Sequence, residues 1–225
     1  MWATRLGIAA AVGFVAGPLL AHVGVLPALG GFGLFVLGGL LGIIAAVLGI
    51  VHLARGGGAG AGLAVGAVLT ITFLIVAAGG RKVPRINDIT TDTTNPPQFV
   101  AAGSIPANQG RDMNYPGQSF AEQQRAGYPD LAPLQAAAPP DEEFKHVEAA
   151  ARQMPTWEIT RSDSAAHTLE GVDTTKLFHF QDDFVIEVRP QGSGSIVQMR
   201  SKSRDGKGDI GANAARIKAF FAKLT

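Results

Sequence analysis

The first 80 residues carry only two formally charged side chains, Arg5 and Arg55, and no aspartate or glutamate. A stretch of that length with so little charge cannot form the solvated surface of a water-soluble domain, so the chain divides into two chemically different parts. The remaining 145 residues hold 17 Lys or Arg against 18 Asp or Glu, an ordinary balance for a soluble domain. The average over all 225 residues, 47% apolar and 16% charged, hides this division.

Three apolar stretches fill the charge-poor part: roughly Leu6 to Ala21, Gly31 to Leu53 and Ala59 to Ala78. Twenty helical residues rise about 30 Å, the thickness of a bilayer's hydrocarbon core. The second and third stretches therefore span if helical. The first is shorter and contains Pro18, and Arg5 ahead of it resembles the start of a signal peptide. No small-x-small cleavage site follows, so a retained helix is expected. Each stretch also has glycines four apart, at Gly13 and Gly17, Gly38 and Gly42, and Gly62 and Gly66, a spacing that lets helix backbones approach. The expected use is packing within a three-helix bundle. No formal charge lies deep in a span, which argues against a proton or ion pathway carried by this chain alone, and His22 and His52 fall near predicted ends.

Three spans put the N-terminus and the C-terminal domain on opposite sides of the membrane. The basic cluster Arg81, Lys82 and Arg85 after the third span leans weakly towards a cytoplasmic domain by the positive-inside rule.

Nine prolines lie from Pro84 to Pro140, and this tract reads as extended chain and turns. Asp88 and Asp92 among Thr90, Thr91, Thr93 and Thr94 suit turn capping, and their spacing is not that of a helix-loop-helix calcium site. Tyr115, Phe120, Tyr128 and Leu131 are expected to anchor the tract on the folded domain. Beyond it, DEEFKHVEAAARQM reads as a helix with an acidic first turn, ended by Pro155. TWEITRSD, HTLEGVDTTKLFHF, FVIEVRP and SIVQMRSKSR read as strands, the last two joined as a hairpin by QGSG. DIGANAARIKAFFAKL closes the chain as a helix with Ile210, Ala214, Ile217 and Phe220 or Phe221 facing the core. The expected architecture is three N-terminal transmembrane helices (1–80), a proline-rich segment packing on the soluble domain (81–138) and an α+β domain (139–225) whose antiparallel sheet is flanked by helices.

The sharpest chemical signal is RSKSRDGKGDIGANAARI. Arg200, Lys202 and Arg204 alternate along a strand and share one face, while Ser201 and Ser203 share the other. Gly206, Gly208 and Gly211 spell a GxGxxG between strand and helix, but no following strand or ribose-binding acid completes a dinucleotide fold. A glycine turn feeding a helix, surrounded by Arg200, Lys202, Arg204, Lys207, Asn213 and Arg216, is a candidate anion or lipid-headgroup site. Against that, Asp209 is placed to cap the helix and to pair with Arg204 or Arg200, which makes the cluster a structural network instead.

Cysteine is absent, which excludes disulfides, thiolate catalysis and Cys-ligated metals. His146, His167 and His179 fall in no metal or nucleophile motif, His179 is read as a strand residue, and Asp182 and Asp183 read as turn punctuation. No catalytic residue, metal site or cofactor is assigned. A formal net charge of +1 does not suit a nucleic-acid binder.

NDITTDTTNPPQF, the paired Tyr-Pro region ending YPDLAP, and RSKSRDGKGDIGANAARIKAF together resemble the bacterial and plastid domain-of-unknown-function family 1499, over about Arg85 to Leu224. The family pattern stands here as Arg200, Ser201, Ser203, Arg204, Gly206, Asp209, Gly211, Asn213 and Arg216. Asn87 stands where relatives often have histidine, against a metal role at that position. The resemblance implies a membrane-anchored or exported domain, hence a multi-pass protein of a bacterial inner membrane with its C-terminal domain on the periplasmic side, opposite to the charge count. It implies no activity.

The expected function is a membrane-anchored accessory or structural protein interacting with membrane lipid and other membrane protein subunits. The alternatives are a domain binding an anionic small molecule or lipid headgroup, and an enzyme whose cleft unites a histidine or carboxylate pair with the arginines.

Overall fold

The computed structural model describes residues 2–58, 60–80 and 83–225. Ala59, Arg81 and Lys82, read above as the start of the third span and its basic flank, lie outside the described residues. The chain divides into two units, Met1–Arg81 with Thr175–His179, and Lys82–Thr174 with Phe180–Thr225.

The first unit contains α1 (Trp2–His22), α2 (Ala28–Ala54) and α3 (Ala61–Gly80). All three are long and apolar enough to cross a membrane. The first is a full 21-residue helix with Pro18 inside it, longer than its apolar run. Glycine makes the packing possible at each helix pair. A Cβ on Gly17 of α1 would lie 2.7 Å from the Phe35 backbone nitrogen of α2, one on Gly66 of α3 would lie 2.5 Å from that of Ala46, and one on Gly62 would lie 2.5 Å from the Ala3 carbonyl carbon. The four-residue glycine spacing thus serves backbone approach within the bundle. Large apolar side chains such as Val12, Val68 and Ile75 point outward, as side chains facing lipid do.

The second unit is built on a six-stranded antiparallel sheet with β1 (Asp88–Thr90), β2 (Leu134–Ala136), β3 (Trp157–Asp163), β4 (Thr168–Thr174), β5 (Gln181–Gln191) and β6 (Gly194–Ser203). The order is β1-β6-β5-β4-β3, and β2 also pairs with β6. Strand β6 therefore has β5 along one side and both short strands along the other, β1 opposite Arg200 to Lys202 and β2 opposite Ser195 to Val197. Gly192, at φ +60°, turns the β5–β6 hairpin.

Two helices, α5 (Pro140–Ala151) and α6 (Ala212–Leu224), cover one face. Three acids in the first turn of α5 complement its dipole. It stops at Ala151, short of the Met154 expected from sequence. Phe144, Val147 and Ala151 of α5 and Ala214, Ile217 and Phe220 of α6 pack on Leu169, Phe184, Ile186, Val197 and Met199. Trp157 joins them, its ring 4.1 Å from Phe184 and 5.0 Å from Phe220. Ile210, expected in the α6 stripe, is instead an exposed turn residue at φ +54°, one residue before the helix N-cap Gly211.

The proline-rich tract is less extended than its composition suggested. It supplies β1, β2 and α4 (Gln118–Gly127). Its stretch from about Thr91 to Tyr115 covers the opposite sheet face, where Glu170 of β4 accepts the amides of Val100, Ala101 and Ala102. Strands β4 to β6 are consequently covered on both faces over much of their length, while the edge strand β3 exposes Glu158, Thr160 and Ser162.

Candidate functional site

Arg200, Lys202 and Arg204 do share a face, the one beneath the irregular tract. Arg200 is fully buried, and its guanidinium forks onto Asp88 of β1 through Nε and Nη2, both at 2.8 Å. Nη2 also donates to the Met113 carbonyl at 2.9 Å and Nη1 to that of Pro97 at 3.3 Å. Its central carbon lies over the rings of Phe99 and Tyr115, 4.8 and 5.6 Å from their centroids. Lys202 Nζ donates to the same Asp88 carboxylate at 2.8 Å. Arg204 meets Asp183 at 2.7 Å and donates to Gln181 Oε1. Asp183 also receives Asn108, and Arg111 lies 3.4 Å away.

The other face carries a second cluster. Arg216 of α6 donates to Asp173 of β4 and to Asp182 of β5, and its Nη1 reaches Ser201 Oγ and Asn213 Oδ1. Asn213 Nδ2 donates to Ser203 Oγ at 2.9 Å. Ser201 and Ser203 are thus bound to the start of α6. The buried cations have the carboxylates that burial demands.

Asp209 does hold the amides at the start of α6, its oxygens accepting those of Gly211 and Asn213, both at 2.9 Å, but Gly211 and not Asp209 is the N-cap residue. The expected pairing of Asp209 with Arg204 or Arg200 does not occur: Asp88 and Asp183 both stand opposite Lys202 on the strands flanking β6, and from there Asp88 takes Arg200 and Asp183 takes Arg204, leaving Asp209 to the amides. Burial pushes its carboxyl above the ordinary range, against the lowering effect of those two amides. Asp182 and Asp183 are not turn punctuation but the buried second and third residues of β5, which receive Arg216 and Arg204.

Lys207 alone of the candidate residues stands apart from this network. It is exposed on the glycine turn and lines a cavity of about 430 Å³ with Arg85, Asn87, Phe120 and Gly206. Sequence patterning did not single out Asp88 and Asp183 as ion-pair partners, or the Asn87–Phe120 wall. The signal for the acids was present: three cations alternating on a strand need buried counter-charges, and Asp182–Asp183 opens the neighbouring strand.

The histidines lie outside both clusters. His146 is 3.7 Å from Glu143 on α5, His167 is 2.7 Å from Asp141, and His179 sits at φ +58° in the loop after β4, not in a strand. Tyr115 and Tyr128 have buried hydroxyls without hydrogen-bond partners among the described residues, and burial pushes both up to about 12.

The family model described as a protein of unknown function, DUF1499, matches residues 88–224, from β1 to the last residue of α6. The chain belongs to this family. The matched range of the DUF1499 domain contains both ion-pair clusters and the glycine turn, and begins at Asp88, the acceptor for Arg200. No curated protein matches the chain. Among solved structures, the crystal structure of Ara h 8.0201 is similar at 13% identity, covering 41% of this chain and 91% of that one with a TM-score of 0.31, too low to carry an argument.

Proposed function

We propose that this DUF1499 protein is a membrane-anchored accessory subunit of structural kind, whose helices pack against other membrane components and hold the α+β domain at the surface. The observation that carries this reading is the ion-pair network. Arg200, Lys202, Arg204 and Arg216 are committed to buried carboxylates, so the feature that most resembled a ligand site holds the sheet, the tract and α6 together. The outward apolar side chains of α1 to α3 offer a surface for lipid or another membrane subunit. The reading places the domain on the periplasmic side of a bacterial inner membrane; family resemblance supports that side, and the basic residues after α3 weigh for the other.

The test is native mass spectrometry of the protein extracted gently from its own membrane. A stoichiometric complex with another membrane protein is expected. A monomer or homo-oligomer without a protein partner would overturn the accessory-subunit reading. Protease access to the domain in sealed right-side-out vesicles decides the side.

A further inference from the structure

Arg200, Lys202, Arg204 and Arg216 meet buried carboxylates, whereas Arg85 and Lys207, like Arg125, Lys145 and Lys223, have no carboxylate partner among the described residues; what sets Arg85 and Lys207 apart is that they share a concave wall. Both stand on the wall of the 430 Å³ cavity beside the glycine turn, a volume within the range of small-molecule sites, about 300–1,000 Å³. Among the described residues no acid lines it: the others on its wall are Asn87, Phe120 and Gly206.

The wall is held in place. Asn87 Nδ2 donates to the Gly206 carbonyl at 2.8 Å, and the Asn87 carbonyl accepts the Ser203 amide at 2.8 Å. The Asp209 amide donates to the Ile86 carbonyl at 3.2 Å, tying the turn to the strand of chain that carries Arg85. A Cβ on Gly208 would lie 3.1 Å from Arg85 Cγ, so glycine there lets the arginine stem lie against the turn. The carboxylate of Asp209 is occupied by the Gly211 and Asn213 amides. Two uncompensated cations, one a planar fork and one a point charge, suit phosphate oxygens, and Phe120 offers an apolar surface beside them.

We propose that this cavity binds a phosphate group carried on an apolar body, with Arg85 and Lys207 on the phosphate oxygens and Phe120 against the body. This goes beyond the accessory role and does not depend on it. A phospholipid and a soluble phosphate ester share this chemistry, and only four residues separate α3 from Arg85 in sequence.

The experiment uses the full chain in nanodiscs. In discs of phosphatidylcholine alone, phenyl phosphate is titrated by calorimetry. In discs mixed with phosphatidylglycerol, the anionic lipid retained on release is counted by native mass spectrometry. Both are repeated with the double substitution Arg85→Ala and Lys207→Ala, and with Arg152→Ala, an exposed cation on Glu148, as control. The expected result is saturable binding in one arm that the double variant weakens about tenfold or more while the control leaves it unchanged. Loss in the calorimetric arm identifies a soluble ester, and loss of lipid retention identifies a phospholipid. Absence of binding in both arms, equal binding by the double variant, or equal loss in the control would overturn the proposal. An unchanged urea midpoint shows that the double variant is folded.

Discussion

Replacing Arg200 by alanine removes a fully buried guanidinium from the rings of Phe99 and Tyr115 and leaves the carbonyls of Met113 and Pro97 without their donor. Asp88 keeps Lys202 at 2.8 Å, so its charge is not left alone. Each orphaned acceptor costs about 1–3 kcal/mol. With the lost fork and ring contacts the total is about 4 kcal/mol. That is a large part of the 5–15 kcal/mol by which such a domain is stable. The assay is urea unfolding of the full chain in detergent, in a Trp2→Phe background so that Trp157, packed on Phe184 and Phe220, reports on the domain alone. With an m-value of about 2 kcal/mol/M the midpoint falls by about 2 M. Arg200→Lys keeps the charge and loses the fork, and falls about half as far. A fall below about 0.5 M for Arg200→Ala would refute the view that the network holds the domain together.

Three further outcomes are expected. The raised Asp209 carboxyl keeps its proton in the native state at pH values where the unfolded chain has lost it, so its contribution to stability is complete below the ordinary 3.8 and is lost as pH rises through the native value. The urea midpoint of the wild type minus that of Asp209→Asn therefore increases as pH falls towards 3.8, and a flat or opposite trend would contradict the assignment. Gly66→Val forces a side chain onto the Ala46 backbone and lowers the thermal-aggregation midpoint in detergent, whereas Gly33→Val, with open space around its Cβ, leaves it unchanged. Tyr128→Phe removes a buried hydroxyl that has no partner among the described residues and is neutral or stabilising by up to about 1 kcal/mol in the same urea assay; a clear destabilisation would reveal a bound water or another hidden acceptor.

The helices and long strands were legible because apolar periodicity marks them: Phe144, Val147 and Ala151, or Ile217 and Phe220, recur at helical spacing on a core face. Helix α4 was not, because its stabilising contact is polar. Gln124 is buried there, its side-chain amide bonding both the amide and the carbonyl of Thr90 at 3.0 and 2.6 Å, and hydropathy patterns give no sign of that. Strand β1 is three residues long, too short for alternation to show. The cationic face of β6 was readable from alternation alone. Its counter-charges were not, since which acid meets which arginine depends on register between segments distant in sequence. Lys207 was visible as a cation on the glycine turn, but the cavity beside it needs Arg85 and Phe120, which only folding brings there.

Arg200 and Asp88 are 112 residues apart in sequence. At about 5–20 residues per second, the acid is synthesised roughly 6–22 s before its guanidinium. Throughout that interval β1 has no sheet to join, and the tract behind it has no surface to cover, while α1 to α3 are already available for insertion. The membrane part can thus be settled early, and the domain closes late, when β6 arrives between β5, made just before it, and β1 and β2, made long before it. A nascent chain interrupted after α3 and before β6 would remain tethered to the membrane with an unfolded, protease-sensitive tail.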